Sequence, residues 1–119
     1  MAKRSNMEAI NQSMFFDWLA LARPNIRALT FAIPNGGSRD AREGANLKRQ
    51  GVTAGVFDVF VSVPSVNYNG LYIEFKHGRN KLTSAQKIFQ EKVLNAGFAA
   101  VVCYNFDEAM NAVEEYLKC

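Results

Sequence analysis

Cysteine is scarce in this 119-residue sequence, and its two cysteines suit no disulfide framework. Cys103 lies inside an apolar run and Cys119 is the last residue, whereas small secreted proteins depend on several paired cysteines. The cysteine and histidine spacings that bind zinc are absent, as is the glycine-rich loop of nucleotide-binding P-loop proteins. We therefore expect a reducing, cytoplasmic environment and no nucleotide cofactor.

Long apolar runs are also missing. No stretch approaches the roughly 20 residues of a membrane-spanning helix, and the basic start of the chain lacks the apolar core of a signal peptide. No tract is repetitive or dominated by proline and serine. We expect a soluble, unprocessed protein with no membrane partner, and a single domain over residues 1–119 in which residues 1–5 are disordered.

Acidic residues are outnumbered in the larger part of the chain. Residues 1–92 hold 13 Lys and Arg against 7 Asp and Glu, whereas residues 93–119 hold 1 against 4, and the net charge is +3. A basic surface of this kind suits a protein that contacts a polyanion such as DNA. A solvated surface with an acidic last helix explains the same numbers, so charge alone leaves both interpretations open.

Hydrophobic periodicity and turn residues predict eight elements in the order αβαββαβα. In the first helix the apolar residues at steps of three and four are Met7, Ile10, Met14, Trp18 and Leu21, and in the third helix Ile88, Phe89, Val93 and Leu94 are expected to face a core. The predicted helices are 6–22 (ending near Pro24), 39–50, 83–96 and 107–117, and the predicted strands are 28–33, 57–63, 71–76 and 98–104.

The order of elements predicts an α/β layered fold with a central mixed four-strand sheet flanked by helices. Strands 57–63 and 71–76 are close in sequence and predict an antiparallel hairpin. The crossover through helix 83–96 favours a parallel neighbour in strand 98–104.

Glu74 and Lys76 are the first candidate functional residues. They stand two apart in a strand, so their side chains share one face, and burying both charges requires a partner such as a metal ion or a phosphate. For an isolated E-x-K pattern, a strand whose polar face is open to water is the simpler explanation. Asp58, a lone acid at the start of another apolar strand, strengthens the functional interpretation because strand pairing would bring it beside Glu74.

Together these residues resemble the signature of the PD-(D/E)XK nucleases, an acid followed after about fifteen residues by E-x-K. The neighbouring blocks are similar to those of the virus-type replication-repair nuclease domain, VRR-NUC, over nearly the whole chain. The blocks are 33–37 (IPNGG), 51–58 (GVTAGVFD), 70–76 (GLYIEFK) and 82–86 (LTSAQ). One difference from the family pattern is Phe57, where the family usually has proline.

The resemblance implies a restriction-endonuclease-like fold and a catalytic centre for phosphodiester hydrolysis. In it, Asp58, Glu74 and the backbone carbonyl of Phe75 would bind Mg²⁺ or Mn²⁺, and Lys76 would be the catalytic lysine. Two carboxylates, a carbonyl and waters form the hard-oxygen environment that Mg²⁺ prefers.

Three further residues have two interpretations each. Glu8 and Gln12 lie four apart on the first helix and resemble family positions that reach the metal's water shell or the DNA, but they also fit an exposed helical face. Gln86 resembles a family site residue with a catalytic role, but Thr83-x-x-Gln86 is also a capping box.

Basic and turn residues around the site are candidates for contacts with the DNA backbone. The turn at 35–37 leads into a helix start, where free N–H groups attract phosphate. Backbone contacts position DNA without reading its sequence. The candidates are Asn35, Gly36, Gly37, Arg39, Arg42, Lys48, Arg49, Arg79 and Lys81.

These observations predict a Mg²⁺- or Mn²⁺-dependent DNA endonuclease. By the same resemblance we expect a two-fold homodimer acting on branched DNA such as Holliday junctions, in the cytoplasm of a bacterial or phage-infected cell. The main alternative is a non-catalytic nucleic-acid-binding module with the same fold. An enzyme acting on free nucleotides would need base-recognition residues that the sequence does not reveal.

Overall fold

The computed structural model describes residues 6–34 and 41–119. The predictions for residues 1–5 and for Asn35, Gly36, Gly37 and Arg39 fall outside these ranges. The elements are α1 (Asn6–Ala22), α2 (Pro24–Arg27), β1 (Thr30–Ala32), α3 (Ala41–Arg49), β2 (Val59–Val61), β3 (Leu71–Phe75), α4 (Ser84–Asn95), β4 (Ala99–Cys103) and α5 (Phe106–Lys118).

The four strands form one mixed sheet in the order β1-β2-β3-β4. β2 and β3 are antiparallel, with Val59 opposite Ile73, and β1 pairs antiparallel with the other side of β2. β4 lies parallel to β3, as its connection through α4 requires. The predicted α/β class, the hairpin and the parallel neighbour are therefore confirmed.

The two faces of the sheet are covered differently. On one face the side chains of Val59, Ile73 and Phe75 are fully buried against α1 and α5, and the Phe15 and Phe75 rings lie 5.9 Å apart. The opposite face, which carries Tyr72 and Glu74, is covered by α4, whose Phe89 ring contacts Tyr72 edge-on at 5.1 Å. The strand alternation thus sends the core residues one way and the candidate site residues the other.

The face of α1 that meets the core differs from the predicted one. The stripe predicted from apolar spacing lies largely in solvent: Met7, Ile10 and Met14 are 42%, 47% and 45% exposed, and Leu21 is 87% exposed. The buried residues of α1 are Glu8, Asn11, Phe15 and Leu19. Two stripes compete on this helix, and the aromatic contact with Phe75 selects the one that contains two polar residues.

The structure also differs from the sequence prediction in α4 and in the segment after α1. On α4, Ile88 and Leu94 are exposed although the spacing predicts a core position for them. Pro24 begins a short extra helix, α2, because proline lacks only an N–H that the first turn does not use. In α3 no residue from 42 to 49 is buried.

None of the helices in the described ranges has the length and apolar character that crossing a lipid bilayer requires.

Candidate active site

Asp58 and Glu74 meet where β2 and β3 pair. Because Val59 is opposite Ile73, the preceding Asp58 lies beside the following Glu74. The Asp58 N–H donates to Glu74 Oε1 at 3.1 Å, and the Phe75 N–H donates to Asp58 Oδ2 at 2.9 Å. Each carboxylate is therefore held by the backbone of the other segment, and the pairing fixes both side chains in one small site.

Lys76 completes this charged cluster at the end of β3. Its Nζ lies 3.4 Å from Glu74 Oε2, and only 12% of its side chain is exposed. The Lys76 N–H donates to the Cys103 carbonyl at 3.0 Å, which extends the pairing with β4 one residue beyond the strand. The E-x-K spacing therefore places a carboxylate and an ammonium on one face, as predicted.

Gln86 uses both ends of its side-chain amide. Oε1 accepts from the Thr83 N–H at 2.9 Å while the Thr83 hydroxyl accepts from the Gln86 N–H at 3.2 Å, so the capping box of α4 is complete. The remaining group, Nε2, donates to Glu74 Oε2 at 2.9 Å. The two interpretations of Gln86 are thus compatible, because the cap fixes the orientation in which the amide reaches Glu74.

The electrostatics of the site centre on Glu74, which is 4% exposed. Burial and the neighbouring Asp58 carboxylate raise the pKa of Glu74 to about 7, and the Lys76 ammonium opposes the shift without cancelling it. A carboxyl group held in this way is costly in its charged form. A cation placed between the two acids would relieve that cost.

The donor set fits a hard divalent cation of the magnesium type. Within the described ranges no cluster of three or more His, Cys, Asp and Glu side chains is arranged to hold a metal ion. Mg²⁺ does not require one, because it binds through one or two carboxylates and keeps several waters. Asp58, Glu74 and the Phe75 carbonyl are the groups of this chain that would hold it.

Glu8 and Gln12 lie on a part of α1 that reaches the same end of the sheet. The helix is anchored there by Asn11, whose Oδ1 accepts from the Phe106 N–H just beyond β4. Glu8 is 8% exposed on the inward face of α1, so its interpretation as part of a solvent-exposed helical face is wrong. Gln12 is half-buried against the edge strand.

The basic candidates lie on α3 and in the turn that follows β3. Arg42, Lys48 and Arg49 are exposed on α3, and Arg79 and Lys81 are exposed in the turn that follows β3. Their exposure is what contact with a phosphate backbone needs, and it is equally what a solvated surface charge has. Their role in DNA binding stays a prediction.

The sequence patterns did not reveal an open groove beside the site, between α1 and β1. Its residues come from segments far apart in sequence, and no motif or periodicity connects them. The sequence patterns also left out Asn11, a polar residue on the buried face of α1 that bonds to the start of α5.

The fold and the site define a class: an α/β nuclease-type domain with a mixed sheet and a D…E-x-K cluster. The structure is similar to that of a solved protein described as a VRR_NUC domain protein, with a TM-score of 0.83 and 27% sequence identity over 98% of this chain and 92% of that one. This likeness confirms the resemblance in the sequence blocks and supports a VRR-NUC domain. No family model and no curated protein matches it.

Proposed function

We propose that this protein is a metal-dependent endonuclease that hydrolyses DNA phosphodiester bonds. The observation that carries the proposal is the convergence of Asp58, Glu74 and Lys76 on one buried cluster, built from two strands and one helix. The nuclease-type fold supports it independently.

The free-energy cost of keeping two neighbouring acids in the cluster supports a catalytic role over DNA binding alone. Two acids at hydrogen-bonding distance of one another's backbone would repel a DNA phosphate, so a pure binding module gains nothing from keeping them. The raised pKa of Glu74 shows that burial and Asp58 both disfavour its charge. Such perturbed groups concentrate at functional sites.

Each residue of the cluster has a distinct role in the proposed reaction. Asp58 and Glu74 would hold Mg²⁺ or Mn²⁺, which would supply Lewis acidity and charge neutralisation at the phosphate. Lys76 orients the attacking water and stabilises the negative charge on the phosphoryl oxygens. Attack in line with the leaving 3′ oxygen leaves a 5′ phosphate on the product.

The test is cleavage of labelled branched, duplex and single-stranded DNA with Mg²⁺, Mn²⁺ or EDTA. We expect Asp58→Asn, Glu74→Gln and Lys76→Ala each to abolish cleavage while leaving the thermal unfolding transition cooperative, since each removes a site charge and no core side chain. Glu91→Gln, an exposed acid on α4, is the matched control. If any of the three site variants cleaves at the wild-type rate, the proposed centre is wrong, and DNA binding without cleavage in every metal would favour the binding module.

We further propose branched DNA as the substrate and a two-fold homodimer as the active form. One D…E-x-K centre cuts one strand, so severing two strands of a junction requires two centres. The exposed apolar face of α1 supports an assembly, because a two-fold axis would place the same side chains of two copies against each other.

A further inference from the structure

The groove between α1 and the edge strand β1 lies next to the candidate centre. Its walls come from α1 between Ala9 and Asp17, from Arg27, and from β1, and its volume is about 500 Å³. The volume falls within the range of about 300–1,000 Å³ typical of ligand sites.

One backbone hydrogen bond places the end of β1 beside the segment that carries Asp58. Ile33, which follows the last groove residue of β1, donates its N–H to the Asp58 carbonyl at 2.7 Å. From that end the groove follows α1 from Ala9 to Asp17, about 12 Å at the helical rise of 1.5 Å per residue. This is the length of three or four nucleotides at about 3.4 Å per stacked step.

The groove offers hydrogen-bonding groups along apolar walls. Gln12 Oε1 is buried and has no hydrogen-bond partner within the described ranges. A carboxamide has a donor and an acceptor that match the edge of a nucleobase. Leu29 and Ile33 form backbone hydrogen bonds with the β2 segment: the Leu29 carbonyl accepts from the Ser62 N–H, and the Ile33 N–H donates to the Asp58 carbonyl. In an antiparallel pair these groups alternate in direction along the strand, so the N–H and carbonyl of Ala32 point to the open edge of the sheet.

The charges in the groove offset each other, because its lining contains one cation and one acid, so the groove does not attract a phosphate preferentially. The Arg27 guanidinium lies 4.8 Å from the centre of the Phe16 ring and donates to the Thr30 carbonyl at 3.0 Å. Asp17, at the outer end, repels phosphate, whereas it can accept a hydrogen bond from a base amino group. Apolar surface from Phe16 and Ala9 suits the flat face of a base.

We infer that this groove binds an unpaired stretch of DNA adjoining the phosphate to be cut, with a base held by Gln12. This inference rests on the proposed nuclease function and narrows its substrate to DNA that is single-stranded or opened at the cleavage point. The phosphate then reaches Asp58 and Glu74 while the unpaired nucleotides follow α1 away from the centre.

The experiment measures binding in EDTA, so that its result does not depend on cleavage. The probes are a short fluorescein-labelled single-stranded oligonucleotide and a blunt duplex, followed by fluorescence anisotropy. Ala9→Trp fills the groove from an exposed helical position, and Gln12→Leu removes the amide while keeping a similar shape. Ala20→Trp, exposed on the same helix outside the groove, is the matched control.

We expect Ala9→Trp and Gln12→Leu to weaken binding of the single-stranded probe by about tenfold, because each variant removes contacts with a base. Duplex binding should be unchanged, and Ala20→Trp should bind both probes like the wild type. Equal single-strand affinity in folded Ala9→Trp and wild type, or no single-strand binding by the wild type, would overturn the inference. Groove-dependent binding without cleavage in any metal would instead retain the groove and remove the nuclease.

Discussion

At the scale of single residues, Glu74 stands out because its environment disfavours the charged form of its carboxyl group. It is a buried carboxyl group beside a second acid, and its pKa is raised to about 7. The protonated form therefore fits the metal-free fold better than the charged form does. The same property makes the site receptive to a cation, since a bound cation stabilises the charged form.

Metal-free protein should lose stability as the pH rises from about 4.5 to above 7, because the folded state holds the Glu74 proton at pH values where the unfolded state has lost it. The penalty is absent well below pH 4.5 and complete well above pH 7, where the rise from 4.5 to about 7 in the pKa of Glu74 amounts to roughly 3 kcal/mol at 1.36 kcal/mol per pKa unit. Urea unfolding in EDTA across this range measures it. Glu74→Gln should remove this pH dependence, whereas Glu91→Gln should retain it. Identical pH profiles for wild type and Glu74→Gln would contradict the prediction.

Gln86 allows capping and site roles to be separated. Gln86→Glu keeps an acceptor for the Thr83 N–H, since capping boxes use Glu or Gln, but it replaces the donor that faces Glu74 with an acceptor. We expect this variant to keep its helical content and to lose cleavage by at least about tenfold. Thr83→Ala is the converse variant: it removes the hydroxyl cap, costs about 1 kcal/mol of stability, and should cleave normally. Normal cleavage by Gln86→Glu would leave Gln86 with the cap alone.

At the scale of elements, the segment before β2 determines where Asp58 lies. Gly55 adopts a φ of +87°, and a Cβ at this position would collide with the carbonyl of Ala85 at the start of α4. The loop and the helix therefore approach backbone to backbone. Asp58 enters the sheet three residues later, so the close approach also aligns the site.

Gly55→Ala should destabilise the protein and displace Asp58, because it combines an unfavourable φ with the collision. Gly51→Ala is the matched control: Gly51 has a φ of +101° but no neighbouring atom within 4 Å of a built Cβ. We expect Gly51→Ala to cost about 1 kcal/mol and to retain cleavage, and Gly55→Ala to cost at least about 2 kcal/mol more and to lose most of it. Urea unfolding and cleavage rates measure both. Equal losses in the two variants would show that the contact with Ala85 is unimportant.

Elements also differ in how far their sequences predict them. The strand alternation of β3 predicts that Glu74 and Lys76 share a face, and the 3.4 Å distance from Lys76 Nζ to Glu74 Oε2 confirms this. For α1 the same kind of argument selects the wrong face, since the stripe of Met7, Ile10 and Met14 is more apolar than the stripe that is buried. The spacing of apolar residues shows which positions share one face of a helix. It does not show which of two such faces packs against the core.

At the scale of the whole molecule, the exposed face of α1 bears on assembly. We expect a homodimer at micromolar concentration by light scattering, and conversion to a monomer in the double variant Ile10→Glu and Met14→Glu, because four buried carboxylates per dimer would oppose association. Val66→Glu, a change at an exposed apolar residue away from α1, should leave the mass unchanged. A monomeric wild type would exclude the dimer, and a dimeric double variant would exclude this face. Paired, symmetric nicks in a four-way junction would support two facing centres.

The sequence by itself determined the order of the four strands and the four longer helices, the hairpin of β2 and β3, the parallel partner of β3, and the shared face of Glu74 and Lys76. These properties follow from turn residues, periodicity and connection length, which are local. Only the tertiary structure decided that Glu8 is buried, that the Gln86 amide reaches Glu74 while it caps α4, and that a groove opens beside Asp58. The physical reason is that each of these depends on contacts between segments distant in the chain, and such contacts select among surfaces that local patterns leave equally available.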